Sequence, residues 1–379
     1  MKEMTHSIKG WLFDEALPFW ASTGLDRERG GPVESFNLDG VTPSGADFKR
    51  ARVSCRQVYV FSHAEQLGWP GAKAAADHVF EFLVDRFWLG NDLGLARRVT
   101  LAGELLDATP DLYDFAFFLF ALGWRFKARG DSRCLSLAHE TLDFIDRRFR
   151  HQGGEGFHAV LPSVLPREQN PHMHMTEAAL ILSEASGDAR FLSLANEMVA
   201  LFKSKICQMP AAVLPEFFGN DWTPLPATSN NWVEPGHQFE WAWILSRYQQ
   251  LTGRDVTSVV EALVNWAESH GVSASNKLTF NRVGFDGSPI DRGSRSWPNT
   301  ERIKGWIGLS ELTGVDAWPR IEESTEALFS WHLGQAPKGC WVDQFDSEGR
   351  PASEIIPTST LYHVFLAFAE VLRFQETSK

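Results

Sequence analysis

The feature that most constrains the fold is a pair of helices that recurs about every sixty residues along the 379-residue chain. Stretches with helical apolar spacing are joined by connections that are alternately short and long. The spacing predicts twelve helices, near residues 6–20, 51–68, 70–88, 111–129, 132–149, 172–187, 189–206, 237–252, 255–269, 299–313, 316–332 and 359–374. A repeat of such constant length indicates stacked units that bury their apolar faces against their neighbours.

Six hairpins of one length predict an all-α fold, an (α/α)6 barrel, with an open solenoid as the alternative. The long connections contain short strand-like runs, for example at 156–160 and 277–280, so we expect small β-ribbons over one end of the barrel. No Pro/Ser-rich linker or charge run interrupts the chain. We therefore expect a single domain over residues 1–379.

Each helix that follows a long connection carries a reactive group in or near its first turns. These residues are Arg56, Tyr113, His174, His237, Glu301 and His363. In a closed ring they would converge at one mouth, beneath the long connections, which is the usual place for a small-molecule site. Polar residues with only structural roles would not need equivalent positions in all six repeats. The pattern therefore predicts one central site.

Two of these helices begin with a similar pair of titratable residues. Pro235-Gly236-His237 is followed by Glu240, and Asn170-Pro171-His172-Met173-His174 is followed by Glu177. Residues three apart lie on one face of a helical turn. A buried His beside a capping Glu would explain one such pair structurally. The recurrence of the pair favours a functional site.

Composition limits the partners and the location. The formal net charge of −12 argues against nucleic acid or an anionic membrane as a partner. No apolar run is long enough for a membrane span, and the first residues lack the apolar core of a signal peptide. The four cysteines are scattered, which is typical of a reduced protein. We expect a cytoplasmic monomer or homodimer.

The fifteen tryptophans are an unusual feature, because several fall in predicted loops. These include Trp222, Trp232, Trp297 and Trp341. An indole ring packs well against the C–H face of a sugar, whose hydroxyls bind nearby polar groups. Anchoring of the loop is the structural alternative for any one of them. Together they favour a small sugar as the ligand.

Five motifs, in order and within about residues 10 to 372, resemble the N-acylglucosamine 2-epimerase superfamily. They are Cys55-Arg56-Gln57-Val58-Tyr59-Val60-Phe61-Ser62, Asn170-Pro171-His172-Met173-His174 with Glu177, Pro235-Gly236-His237 with Glu240-Trp241, Arg295-Ser296-Trp297-Pro298 with Glu301, and Tyr362-His363. The resemblance implies an (α/α)6 barrel that interconverts sugars at C1 and C2.

The resemblance also implies site residues. It assigns substrate binding to Arg56, Asn170, Tyr113 and Trp222, and it places His174, His237, Glu240 and His363 among the catalytic residues. We add Trp297 and Glu301 of the Arg-Ser-Trp-Pro motif and the carboxylate of Glu216 as candidate substrate-binding residues.

The Arg-Ser-Trp-Pro motif bears on the reaction. Epimerases of the superfamily tend to carry two adjacent tryptophans there, whereas Arg295-Ser296-Trp297-Pro298 is similar to mannose isomerases. The resemblance therefore implies an isomerase that interconverts D-mannose and D-fructose, with a sugar 2-epimerase as the alternative. A His with a pKa near ~6.5 can take and return a proton at neutral pH. We assign His363 to proton transfer between C2 and C1 through a cis-enediol, and His237 with Glu240 to ring opening.

Other uses of these residues are weaker hypotheses. The spacing His-x-x-Glu differs from the HExxH pattern of zinc enzymes, and we find no Gly-rich loop for a nucleotide, so we expect neither a metal nor another cofactor. A glycosidase would need two carboxylates, such as those of Glu216, Glu240 and Glu301, but would leave three histidines unexplained. A helical-repeat binding scaffold would not need two His-x-x-Glu copies and a third His.

Overall fold

The computed structural model describes residues 2–151 and 154–377. Within these ranges the chain forms twelve long helices, each within a few residues of its predicted position. They are α1 (2–22), α2 (Ala51–Gln66), α3 (Ala72–Phe87), α4 (Leu112–Arg129), α5 (Ser132–Arg148), α6 (Asn170–Ser186), α7 (189–206), α8 (Pro235–Thr252), α9 (Thr257–Gly271), α10 (Ser296–Thr313), α11 (318–333) and α12 (Leu361–Thr377). Three outer helices contain π-helical segments, namely Gly10–Ala16, Phe202–Ile206 and Phe329–Leu333.

The even-numbered helices form an inner ring and the odd-numbered helices surround it. Each inner helix packs against the next, and α12 closes the ring against α2. Inner helices are buried on nearly all sides, as in the run 115–122 of α4, whereas the outer helix α5 buries one stripe that includes Leu137, Thr141 and Ile145. The prediction of an (α/α)6 barrel is confirmed.

Local signals fix the helix ends. Gly130, Gly187 and Gly253 adopt the left-handed conformation at the C-caps of α4, α6 and α8. The carboxylates of Asp131 and Asp188 then accept the first backbone N–H groups of α5 and α7 at 3.0 and 2.8 Å. Such tight turns occupy one end of the barrel, so the long connections all lie at the other.

Eleven short strands lie in the described parts of the long connections. They are β1 (Ser35–Asn37), β2 (Phe48–Arg50), β3 (Arg98–Thr100), β4 (Leu105–Asp107), β5 (Arg167–Glu168), β6 (Phe217–Phe218), β7 (Arg282–Val283), β8 (Pro289–Asp291), β9 (Ser294–Arg295), β10 (Gln344–Phe345) and β11 (Ile355–Pro357). All their pairings are antiparallel. The expected β-ribbons are therefore present over one end of the barrel.

The strands join neighbouring connections. The pairs β2–β3, β5–β6, β9–β10 and β11–β1 each link two successive long connections, and the bridges Asp111–Val160 and Val233–Val283 link the remaining two pairs. The two segments that the sequence indicated as strand-like, 156–160 and 277–280, contribute only isolated bridges. In each segment one residue pairs with a residue just after the preceding outer helix, Phe157 with Arg150 and Thr279 with Val272. Such single bridges are too few to form a strand. In the described part of the chain we find no helix long and apolar enough to cross a membrane.

Candidate active site

A cavity of about 580 Å³ opens at the end of the barrel that carries the long connections. Side chains in the first turns of a helix lean toward its N-terminus, so those of the inner helices point into this mouth. Nine of the eleven predicted site residues line it: Arg56, Tyr113, Asn170, His174, Glu216, His237, Glu240, Trp297 and His363. The predicted convergence of the repeats at one mouth is what the structure shows.

The other two predicted residues do not line the cavity. Glu301 lies directly beneath it, fully buried, with Oε1 2.8 Å from Nδ1 of His363. Trp222 lies elsewhere, in the turn that follows β6. Its indole N–H donates to the carbonyl of Glu155 at 3.0 Å, and its ring packs edge-on against His172. The structure thus gives Trp222 no contact with a ligand in the mouth, whereas Phe217 of β6 lines it.

His237 is held by a carboxylate that the sequence did not pair with it. Its Nδ1 lies 2.8 Å from Oε1 of Glu216, and Gln169 donates to the other oxygen of Glu216 at 3.0 Å. Burial alone would lower the pKa of His237, but the charge and hydrogen bond of Glu216, with the charges of Glu234 and Glu240, raise it to about 9. His237 is therefore protonated at neutral pH.

The two His-x-x-Glu pairs differ in the structure. His174 Nδ1 contacts Glu177 Oε2 at 3.2 Å, as the spacing predicts. The expected support of His237 by Glu240 is not a direct contact, because the imidazole leans back toward the long connections and meets Glu216 instead. Glu240 lies one turn deeper, with Oε1 4.0 Å from His174 Nδ1. Its influence on His237 is through charge only.

His363 has the opposite environment. Its Nδ1 lies 2.8 Å from Glu301 Oε1, and Nε2 has no hydrogen-bond partner among the described residues, in a ring that lines the cavity. Burial lowers the pKa of His363 well below its usual value, and the positive charges of Arg56 and Lys304 add to this effect. At neutral pH the ring is neutral and presents an unprotonated Nε2.

Trp297 separates these two histidines. Its ring centroid lies 5.0 Å from that of His237 and 5.5 Å from that of His363. The indole therefore forms an apolar surface between a protonated and a neutral imidazole. A ligand that packs on Trp297 lies within reach of both rings.

Polar groups around the ligand space are only partly paired. Arg56 donates to the Tyr113 hydroxyl at 2.6 Å and to the Ser359 carbonyl at 3.1 Å. Arg56 Nε and Asn170 Oδ1 are buried and have no hydrogen-bond partner among the described residues. Because buried polar groups are normally paired, these atoms indicate where a polar ligand would bind.

A cluster of buried charges lies beneath the mouth. The carboxylates of Glu177, Glu240 and Glu301 surround the ammonium of Lys304, which is fully buried and 2.6 Å from Glu301 Oε2. Burial raises the pKa of Glu240 well above its usual value, and the charge of Glu301 adds to this rise. Sequence reasoning missed Lys304, although its position three residues after Glu301 places the two on one helix face.

Two groups in this cluster bring ligand-type atoms within 4.8 Å of one another: His174, Glu177 and Glu240, and Glu240, Glu301 and His363. The ammonium of Lys304 already lies beside the carboxylates that a cation would need. A divalent ion here would have to overcome that positive charge.

Sequence reasoning also missed two partners of His237, a carboxylate and an amide. Glu234 lies 4.0 Å from its Nδ1 and is bound by Arg295 at 2.8 Å. Gln169 reaches it from the residue before α6. Glu234 adjoins the Pro-Gly-His motif and Arg295 begins the Arg-Ser-Trp-Pro motif, so adjacency to these motifs was the available signal.

The barrel has a second cavity, of about 380 Å³, at the end with the tight turns. Its charged side chains already bind one another, as Glu370 does with Arg373 at 2.8 Å and Arg247 does with Glu311. The three histidines of the mouth, each beside a carboxylate, make the mouth the better candidate.

Comparisons with known proteins give the family and the fold that this chain resembles. Residues 31–367 match the family model described as N-acylglucosamine 2-epimerase (GlcNAc 2-epimerase). A mannose-6-phosphate isomerase of Rhizobium meliloti (strain 1021) is 34% identical over 375 residues, which cover 96% of this chain and 95% of that protein. A cellobiose 2-epimerase of Bacteroides fragilis is 23% identical over 372 residues, which cover 89% of this chain and 90% of that protein. A crystal structure of a D-mannose isomerase superposes with a TM-score of 0.88 at 21% identity over 97% of both chains, a likeness of fold.

Proposed function

Because the chain belongs to the N-acylglucosamine 2-epimerase family of sugar epimerases and isomerases, we propose that it interconverts D-mannose and D-fructose. The observation that carries this proposal is the arrangement of His237 and His363 on either side of Trp297. One imidazole is protonated and the other neutral at the same pH. Two titratable groups whose pKa values are displaced in opposite directions are suited to act as an acid and a base.

The chemistry follows from these protonation states. When the sugar ring opens, His237 donates its proton to the ring oxygen and takes up the proton that the anomeric hydroxyl loses as C1 becomes the aldehyde carbon. His363 Nε2 then takes the proton from C2 of the open-chain aldose, which gives a cis-enediolate, and returns it to C1. His237 moves protons between the two oxygens, so that O1 gains one and O2 loses one.

The remaining groups bind and stabilise. Arg56 donates hydrogen bonds to sugar oxygens and stabilises the charge of the enediolate, while the neutral ring of His174, whose Nδ1 contacts Glu177, accepts one from a sugar hydroxyl. Tyr113, Asn170 and Trp297 position the sugar, while Glu216 and Glu301 hold the two catalytic histidines. In this proposal Glu216 and Glu301 do not touch the substrate, and Trp222 has no part in the site.

The charges of the mouth favour an unphosphorylated sugar. Six carboxylates line it: Glu168, Glu216, Glu234, Glu240, Asp343 and Glu354. Of the lining arginines, Arg295 is bound to Glu234 and Arg50 is bound to Glu34. An acidic surface disfavours a phosphate dianion. The name of the Rhizobium relative suggests the opposite choice, so the phosphorylated sugar belongs in the test.

The test is incubation of the purified protein with D-mannose, D-mannose 6-phosphate or cellobiose, each with and without a chelator. We expect free fructose from mannose at a rate that a chelator does not change. Fructose 6-phosphate formed with a much higher kcat/KM would contradict the choice of substrate. Loss of activity in the chelator that a divalent ion restores would contradict the metal-free mechanism.

A sugar 2-epimerase is the second candidate, because a cellobiose 2-epimerase is among the relatives and the site has two histidines. Mannose deuterated at C2 distinguishes the two reactions. A single base on one face should leave part of the deuterium at one position of fructose C1, with some exchange into solvent. Glucose that appears as fast as fructose, with solvent hydrogen at C2, would establish the epimerase.

Three further expectations stay predictions. They are the single catalytic domain over residues 1–379, a few of which lie outside the described ranges, the monomeric or homodimeric state, and the cytoplasmic location. Gel filtration with light scattering tests the second.

A further inference from the structure

Lys304 is a buried cation of the site that the proposed chemistry does not use. It lies on α10, three residues after Glu301, with none of its side chain exposed. Its ammonium is 2.6 Å from Glu301 Oε2, and the other oxygen of Glu301 is 2.8 Å from His363 Nδ1. A lysine is almost never fully buried without a specific partner. These three residues therefore form a continuous chain from the barrel interior to the mouth.

We propose that Lys304 is a positioning residue: it keeps Glu301 ionised, so that Glu301 can only accept a hydrogen bond and His363 must keep its proton on Nδ1. The unprotonated Nε2 is then always the nitrogen that faces the sugar. This inference rests on the proposed isomerase, in which that nitrogen is the base.

The charges around Glu301 support this role. Burial raises the pKa of Glu301, and the ammonium of Lys304 is the strongest influence that opposes the rise. Glu240 and Glu177 lie close enough to Lys304 to affect it through charge. Without the ammonium, the main influence that opposes the effect of burial would be lost, and the Glu301 carboxylate would take up a proton.

A protonated Glu301 would change the histidine. A carboxylic acid can donate its hydrogen to Nδ1, whereas a carboxylate cannot. The proton of His363 would then move to Nε2, and the ring would present a donor to the sugar in place of a base. In a catalytic triad, an Asp replaced by Asn reduces turnover by this kind of tautomer error.

Other groups that face His363 do not fix its tautomer. They are Arg56 on α2, His174 and Glu177 on α6, Glu240 on α8, Tyr362 on α12 itself and Asp343 in the connection before α12. Among the described residues, only Glu301 has a recorded hydrogen bond to a ring nitrogen of His363. The tautomer therefore depends on the state of Glu301.

The experiment compares Lys304→Met, Glu301→Gln and the double variant. We expect Lys304→Met to reduce kcat on mannose at least tenfold with little change in KM. The double variant should be no slower than Glu301→Gln alone, because Lys304 acts through Glu301. A double variant that loses the product of both single effects would overturn the proposal.

Nitrogen NMR of protein labelled with ¹⁵N-histidine reads the tautomer directly. In the wild type, His363 should show a protonated Nδ1, and in Lys304→Met a protonated Nε2 or a mixture. The same tautomer in both proteins would overturn the proposal, even if activity had fallen. This measurement needs no substrate, so it stands apart from the choice of mannose.

Two controls complete the design. Arg302, the other fully buried cation of α10, points away from the site and binds Glu268 and Glu323. Arg302→Gln should lower the melting temperature and leave the His363 tautomer unchanged. If Lys304→Met does not fold, the comparison of Glu301→Gln with the charge-balanced double variant still tests the proposal. A further loss of kcat in the double variant would again overturn it.

Discussion

At the scale of single residues, the site is defined by what each histidine contacts. Glu216 raises the pKa of His237, whereas burial and the charges of Arg56 and Lys304 lower that of His363. We expect kcat/KM to be constant around neutral pH and to fall as pH rises through about 9, where His237 loses its proton. A pH profile of initial rates measures this alkaline limb.

Glu216→Gln tests the assignment of that limb. Removing the carboxylate removes the main influence that raises the pKa of His237, so the ring should lose its proton at a lower pH. The alkaline limb of the pH profile should therefore move toward neutral pH. An unchanged alkaline limb would mean that His237 is not the acid.

Replacing either histidine should remove the chemistry and keep the fold. We expect His237→Ala and His363→Ala each to reduce turnover by at least ~100-fold, the usual contribution of a positioned acid or base. Turnover is measured beside circular dichroism, which reports on folding. Near-normal turnover in a folded variant would remove that residue from the mechanism.

The sequence predicted which residues meet at the mouth better than it predicted their partners. The repeat period placed Arg56, His174 and His363 correctly, because equivalent helix positions converge in a ring. Helical spacing predicted the contact of His174 with Glu177. It could not predict Glu216 beside His237, because that contact joins a loop to a helix and depends on tertiary structure.

At the scale of elements, Gly236 in the first turn of α8 lets the start of α10 approach closely. A Cβ atom at this position would lie 2.5 Å from the ring of Trp297, which stands at the start of α10. Gly236→Ala should therefore displace the indole from between the two histidines. We expect a large loss of kcat/KM with a stability loss of about 1–3 kcal/mol, the range for overpacking.

The matched control is Gly187→Ala at the C-cap of α6. There the backbone is left-handed, with φ of 69°, and no atom lies within 4 Å of the added Cβ. The variant should lose about 1 kcal/mol of stability through backbone strain and keep its activity. Equal activity losses in both variants would contradict the steric argument. Thermal melts and initial rates measure both.

The sequence could predict the elements that depend on local contacts, but not those that depend on distant partners. Gly130 and Asp131 fix an end and a start by local chemistry, so α4 and α5 were predicted closely. The strands depend on partners in the neighbouring connection, as Ser35–Asn37 depends on Ile355–Pro357 across the closure of the ring. Short segments such as Gly156–Val160 carry no signal of whether such a partner exists.

At the scale of the whole molecule, the long connections form a second closed circuit above the barrel. Every neighbouring pair is joined by a strand pair or a bridge, including the first and last connections. The inner helices place the catalytic groups, and the circuit holds residues such as Glu216 and Glu234 over them. The period of the sequence predicted the barrel, whereas the circuit emerges only from the folded chain.

The buried histidines give the whole molecule a predictable sensitivity to acid. His172 donates through Nδ1 to the carbonyl of Glu168 and accepts the backbone N–H of Phe157 through Nε2, so a second proton has no acceptor. Burial lowers the pKa of His172 to about 3 and that of His332 to about 4. The unfolded chain binds these protons below about pH 6.5 and the folded chain does not. The free energy of unfolding should therefore fall as pH drops from about 6.5 toward 4.

His332→Asn isolates one of these contributions. The Asn amide can keep the hydrogen bond that Nδ1 of His332 makes to the Val342 carbonyl at 2.7 Å, but it binds no proton. The variant should be less stable than the wild type at pH 7.5, yet lose about 2 kcal/mol less between pH 7.5 and pH 5. Urea unfolding at the two pH values measures this difference, and His6→Asn, at an exposed position of α1, is the control. If the variant and the wild type had the same pH dependence, His332 would be protonated at pH 5 in the folded protein as well as in the unfolded chain. Its burial would then contribute nothing to the loss of stability in acid, because that contribution requires the folded ring to stay neutral.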